Sequence, residues 1–338
     1  MKVILASIFV FSKPVFQTSS NIEVRLSNSS EKLSDKSSIR ILLTVLVMIV
    51  LQFSVASQEP TDSSSFNPKR FVPAVTAGSV IAGGSLIGLH TTWYSEFERE
   101  KFHLFNDGKQ WLQMDKVGHS CAAYYVGLFC GRSLEWTGVA KKKAVIAGGS
   151  IGLGYLTAIE LMDGYSSGWG FSMGDMAANI GGTGLYVAQE LAWNEQRIQL
   201  KYNFIPSDYA SYRPETLGVG FFPQALKDYN GQAYWLVTNP GYWKADSSWP
   251  KWLNLAVGYS ADGMTGGTVN SFPLLENGDV IPTFERTRQY YLSVDIDLFQ
   301  IEARRNWFKV LRSFVGFVKI PAPAIGINSN GNLLLEIR

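Results

Sequence analysis

The stretch DKVGHSCAAYYVGLFCG, residues 115–131, decides how this chain is read. An acid, a base and one of only three histidines stand at the head of an apolar run. Asp suits a helix N-terminus, where it accepts from unpaired backbone N–H groups and meets the positive end of the helix dipole. The uncharged residues 117–131 that follow then form the body of a helix, expected at about 115–137. Working outward, the same texture predicts helices at about 71–95, 142–162 and 174–195. A membrane span needs roughly 17–25 apolar residues, and runs of 10–14 more often mean a buried core helix. The uncharged run at 71–95 clears that length; those at 117–131, 144–159 and 176–189 are borderline.

VIAGGS occurs at 80–85 and again at 145–150. Downstream of each lies a helix opening Asp-x-x-x-His or Asp-x-x-x-Asn, at Asp115–His119 and Asp175–Asn179. The order predicts two tandem helical hairpins, the first pair of helices repeated as the second. Gly83, Gly84 and Gly88, and Gly148, Gly149 and Gly152, are expected to let helices approach closely. GSIGLG at 149–154 sits in a helical context with no strand before it, so it is not a dinucleotide loop.

Past about residue 198 the pattern changes. YYLSVDIDLF (290–299) alternates Leu292, Val294, Ile296 and Leu298 against Ser293, Asp295 and Asp297, the mark of a half-buried antiparallel strand. WLNLAVGYS (252–260) and NLLLEIR (332–338) read as further strands, 225–240 as a hairpin turning at Asn230-Gly231 with a packed Trp235, and 306–318 as an amphipathic helix. These strands are too few for an outer-membrane barrel of eight or more. The expected class is α+β: an N-terminal, membrane-associated four-helix bundle of two repeated hairpins (71–197) and a smaller antiparallel β-rich part with one amphipathic helix (198–338).

Hydrophobic residues make up 46% and charged residues 17% of the 338, with 32 Gly and 10 Trp. Charge this far below the ~25% of soluble domains indicates an envelope or membrane-associated protein. The net charge of +2, with no clustered basic face, excludes a nucleic-acid partner; protein partners are not indicated. Arg40, then ILLTVLVMIVLQFSVASQ with Val55-Ala56-Ser57 before Gln58, reads as a signal peptide at about 40–57. Residues 1–39 read as a miscalled start, 58–70 as a polar linker, and the mature chain as close to neutral. No lipobox cysteine lies near Gln58. Cys121 and Cys130 would be about 13 Å apart along one helix, too far for a disulfide.

In an up-down-up-down bundle the start of the second helix, the end of the third and the start of the fourth share one end. Asp115 and His119, Glu160 and Asp163, and Asp175 and Asn179 therefore converge there, with the end of the first helix bringing Glu96, Glu98 and His90. Capping accounts for Asp115, and Ser172-x-x-Asp175 approaches a capping box. It does not account for acids at a helix C-terminus, which oppose the dipole, nor for His119 and Asn179 one turn into apolar helices. Mutual hydrogen bonding and a ligand site both remain open. For a site, the candidate catalytic residues are His119, Asp115, Glu160 and Asp163, with His119 as general acid or base. The candidate ligand-binding residues are Lys116, Ser172, Asp175 and Asn179, Lys116 offering charge to a phosphate or carboxylate. One His among acids suits Mg²⁺, Mn²⁺ or Ca²⁺ better than a structural zinc; no particular cofactor is indicated. No H-E-x-x-H or P-loop is present.

MDKVGHSCAAYYVG, AIELMDGYSSGWGFSMGDMAANIGGTGLY and the opening apolar helix resemble the YfiM-like family, a domain of unknown function in predicted periplasmic (lipo)proteins. LKDYNGQAYWL, WLNLAVGYSADGM and KIPAPA resemble its longer members from Bacteroidetes-type bacteria, so the likeness covers most of 70–338. The Asp-Lys-x-x-His, Glu-x-x-Asp and Ser-x-x-Asp-x-x-x-Asn order is similar, more distantly, to VanZ-like membrane proteins associated with glycopeptide-antibiotic resistance. Those tend to carry Arg before Ser-x-x-Asp, where this chain has GWGF. The resemblance implies an exported, cell-envelope location, periplasmic or membrane-associated, and no known reaction. If all four helices spanned a membrane, the constellation would face the cytoplasm and Lys141–Lys143 the outside, against the positive-inside tendency. A compact bundle on or partly in the membrane is the expected arrangement. Its polar end is expected to bind or process an envelope lipid, glycan or phosphate group; the alternative is a non-catalytic scaffold whose polar residues only fasten the helices.

Overall fold

The computed structural model describes residues 66–94, 97–244, 246–270, 282–301 and 316–338. The expected signal region, Glu96 and most of the expected amphipathic helix at 306–318 lie outside them. Helix α1 runs Pro68–Leu89, opened by Asn67, whose side chain accepts from Lys69 N, and continues as a π-helical turn, His90–Tyr94. Helices α2 (Met114–Trp136), α3 (Lys141–Gly164) and α4 (Met173–Trp193) follow. The chain is α+β, as expected.

Small residues set how closely the helices pack. A Cβ on Gly148 of α3 would lie 2.3 Å from Gly131 N of α2, and one on Gly152 would lie 2.7 Å from Gly127 N. A Cβ on Gly182 of α4 would lie 2.0 Å from Ser120 O of α2. Helices α2, α3 and α4 thus form a close-packed core, and α1 lies outside it with only Ser85, Gly88 and Leu89 buried. Gly83 and Gly84 have open space where a side chain would stand. The two VIAGGS segments therefore sit in unlike surroundings, and among the described residues no seam forms at Gly83 and Gly84.

Beyond the bundle come β1 (Ile198–Phe204), the short helices α5 (Pro214–Leu217) and α6 (Phe221–Lys227), and strands β2 (Gln232–Thr238), β3 (Leu253–Asp262), β4 (Thr287–Ile296), β5 (Pro323–Asn328) and β6 (Leu333–Ile337). They form one antiparallel sheet in sequence order, β1 to β6. The predicted strands appear as β3, β4 and β6. Asn230-Gly231 leads from α6 into β2 rather than joining two strands, and Trp235 is fully buried. Residues 317–322 lace the sheet's edges together: Tyr202 N donates to Phe317 O (2.9 Å), Lys319 N to Tyr202 O (2.8 Å) and Arg338 N to Ala322 O (3.0 Å).

The alternation of β4 is as predicted, and it is the polar side that faces inward. Leu292 and Val294 face outward, 65% and 39% exposed, while Asp295 and Asp297 are 1% exposed. The reason lies in the register. Lys201, Trp235, Gly258, Tyr291 and Gly326 are paired neighbours across the first five strands. Trp235 and Tyr291 fill the space that Gly258 and Gly326 leave open, so this face curls inward. Lys201 pairs with Asp295 at 2.6 Å inside the curl, both side chains essentially inaccessible. On the other face, Leu200, Tyr202 and Tyr234 pack against Cys121, Tyr124 and Tyr125 of α2. The bundle thus sits on the outer face of β1 and β2.

Candidate functional site

Trp111, Leu112 and Gln113 take left-handed backbone conformations (φ 47°, 49° and 64°) immediately before α2. That costs non-glycine residues about 1–2 kcal/mol each, so the surroundings must hold them. Trp111 N donates to Gly267 O at 2.7 Å, and its ring meets Tyr229 with centroids 5.2 Å apart. Leu112 O accepts from Tyr259 Oη, and Gln113 Oε1 from Arg288. The sheet and its loops therefore fix where α2 begins, and with it Asp115, Lys116 and His119.

Tyr229 Oη donates to Asp115 Oδ1 at 2.6 Å. Lys116 Nζ lies 2.5 Å from Asp107 Oδ2 and 2.9 Å from Asp175 Oδ1. Ser172 caps α4: its Oγ accepts from Asp175 N (3.1 Å) and donates to Asp107 Oδ1 (2.7 Å). Glu160 Oε2 accepts from Ser172 N at 3.2 Å. This answers why an acid stands near the end of α3: it sits over the start of α4, where the dipole favours it. Close packing at Gly182 and Ser120 brings His119 Nδ1 to 3.1 Å from Asn179 Oδ1. In the neutral imidazole Nδ1–H then donates, and Nε2 is the acceptor nitrogen. Nε2 faces Asp115 Oδ2 and Asp175 Oδ2, each 4.0 Å away. These contacts are too long for hydrogen bonds. The ligand atoms of Asp115, His119 and Asp175 all lie within 4.8 Å of one another.

The electrostatics are lopsided. Asp107, Asp115 and Asp175 surround one lysine, and Glu160 adds a fourth acid beside His119. Burial pushes Glu160 up to about 9, and the charge of Asp175 adds to it. Burial also raises Asp175, with the charge of Asp115 behind it. Burial acts in the same sense on Asp107, but hydrogen bonds from Asp175, Lys116 and Ser172 outweigh it and hold that carboxyl below its usual range. Burial works against the charge on Lys116, yet its bonds to Asp107 and Asp175 hold it above its ordinary value. Glu160 Oε1, 3.7 Å from His119 Nδ1, and Asn179 Nδ2 are buried without a hydrogen-bond partner.

Seven of the eight predicted residues thus converge: Asp115, Lys116, His119, Glu160, Ser172, Asp175 and Asn179. Asp163 turns instead to Tyr94 Oη, at 2.7 Å, in the turn after α1. Glu98 and His90 are exposed and do not join them. Asp107 and Tyr229 were not anticipated; they come from loops, where helical spacing gives no signal. The turn-forming Asn106-Asp107-Gly108 was the trace available in the sequence.

No curated protein and no solved structure matches the chain. Residues 103–190, which hold all seven convergent residues, match the model of a family described as predicted periplasmic lipoprotein (DUF2279). Cys121 and Cys130 both lie inside α2, so neither is a lipid-attachment cysteine. The family description agrees with the exported, cell-envelope location expected from the sequence, and the likeness covers residues 103–190 of the chain.

Proposed function

We propose that the polar end of the bundle holds a divalent cation and, through it, binds or processes a phosphate-bearing lipid or glycan of the cell envelope. The observation that carries this reading is that one ligand atom from each of Asp115, His119 and Asp175 lies within 4.8 Å of the other two, with His119 Nε2 4.0 Å from both Asp115 Oδ2 and Asp175 Oδ2. Two ligands about 2.1–2.4 Å from a shared ion stand at most about 4.2–4.8 Å apart. An imidazole with two carboxylates suits Mn²⁺ or a similar ion. Asn179 supplies the outer partner that orients a ligating histidine. Lys116 is already engaged by Asp107 and Asp175, so it offers little charge to an anion, and the surplus of carboxylates repels one. A cation reverses that balance. It holds Asp175 ionised and presents a Lewis-acidic centre to phosphoryl oxygens. The test is calorimetric titration of the purified protein with inorganic phosphate, with and without Mn²⁺. Binding that needs Mn²⁺ and is lost in His119→Ala supports the reading; binding indifferent to both defeats it.

A second reading, the scaffold, is favoured by Tyr229–Asp115 and Lys116–Asp175, which tie the bundle to the sheet's loops and α2 to α4. Under it, His119→Ala and Glu160→Gln lose stability and cellular function together. Under the first, they fold normally and lose function.

A further inference from the structure

We propose that the uncovered outer face of β3–β6 is a membrane-docking surface, seated in the apolar layer of a lipid bilayer. The sheet has inverted polarity. Its inner face holds the Lys201–Asp295 pair, with Asn254, Gln289 and Lys319 also buried there. Its outer face is aliphatic. Leu236, Val257, Leu292, Ile325 and Leu335 are paired neighbours across β2–β6. Leu292, Ile325 and Leu335 are 65%, 60% and 72% exposed. A water-soluble antiparallel sheet turns such residues to its core and its charges to solvent.

The same face is already in use. At β1 and β2 it is the surface that α2 covers, through Leu200, Tyr202 and Tyr234. From β3 onward it continues along the register, uncovered except at Tyr259 and Ala261, which pack against the bundle. Between Leu253 and Tyr259 on β3, and across its neighbours at that height, the outer face carries no charged residue. At about 3.4 Å per residue this band is about 20 Å tall, near the ~25 Å apolar band of membrane-embedded sheets. Its limits are marked by residues that favour a membrane interface. Exposed Trp243 and Trp252 stand at one end, and Tyr290 with Arg288 at the other. A patch of this size, apolar throughout and bounded by aromatic residues, fits hydrocarbon better than the mixed surface of a soluble partner.

The experiment places a bimane label at Leu292→Cys and, separately, at Asn330→Cys in the β5–β6 turn. Both are made in the full chain with Cys130→Ser and reconstituted with phosphatidylcholine vesicles carrying acyl-chain bromine. Far-UV circular dichroism checks folding, and Ile325→Cys serves as a second outer-face site. The expected result is at least threefold quenching at residues 292 and 325 and little at 330. Absence of quenching at 292 and 325 overturns the proposal, as does equal quenching at all three. Cross-linking of two chains through 292, with no quenching, would assign the face to a second copy and also overturn it.

Discussion

Glu160 carries the clearest consequence at the scale of single residues. Its folded value is raised above the unfolded one, so the native state binds the extra proton between about pH 4.5 and 9. Its favourable contribution is full below the unfolded value and is lost as pH rises toward the folded one. In metal-free buffer, Glu160→Gln is therefore expected to match the wild type near pH 5 and to exceed it by about 2 kcal/mol near pH 9, the order of a buried charge short of partners. Melting curves across that range check it; parallel curves for the two proteins would refute it. His119, Asp115, Glu160, Asp175 and Asn179 were legible in the sequence because helix ends at one end of a bundle must meet. Asp107 and Tyr229 were not, because their places depend on loops folding back from other parts of the chain.

Between elements, a single hydrogen atom decides how close α2 and α4 come. Gly182→Ala would put a methyl group 2.0 Å from Ser120 O, and overpacking of this kind costs about 1–3 kcal/mol. Gly181, next to it, has open space. There the same change should be neutral or stabilise the helix by up to about 1 kcal/mol. Chemical denaturation of both variants tests the pair, and equal effects would contradict the packing described. The four helices were visible from uncharged runs. The faces of β4 were not, because alternation is symmetric and does not say which side is inside. That choice is made by Gly258 and Gly326 on neighbouring strands, which let Trp235 and Tyr291 fill the inner side.

For the whole molecule, charged groups lie inside the sheet and the apolar band outside. Removing one member of the Lys201–Asp295 pair leaves a buried charge uncompensated. Asp295→Asn is expected to lower stability by about 3–5 kcal/mol, measured by denaturant unfolding; a loss under 1 kcal/mol would mean that water reaches Lys201. The bundle site depends on the sheet in turn, since Gly267, Tyr229, Tyr259 and Arg288 hold the left-handed turn that starts α2. The central claim is that this end of the bundle holds a cation rather than only joining helices. Electron paramagnetic resonance of free Mn²⁺ titrated into the protein tests it most directly. One Mn²⁺ bound per chain, with affinity at least tenfold weaker in both His119→Ala and Asp175→Asn, is the predicted result. A free-ion signal undiminished by folded wild-type protein would contradict it.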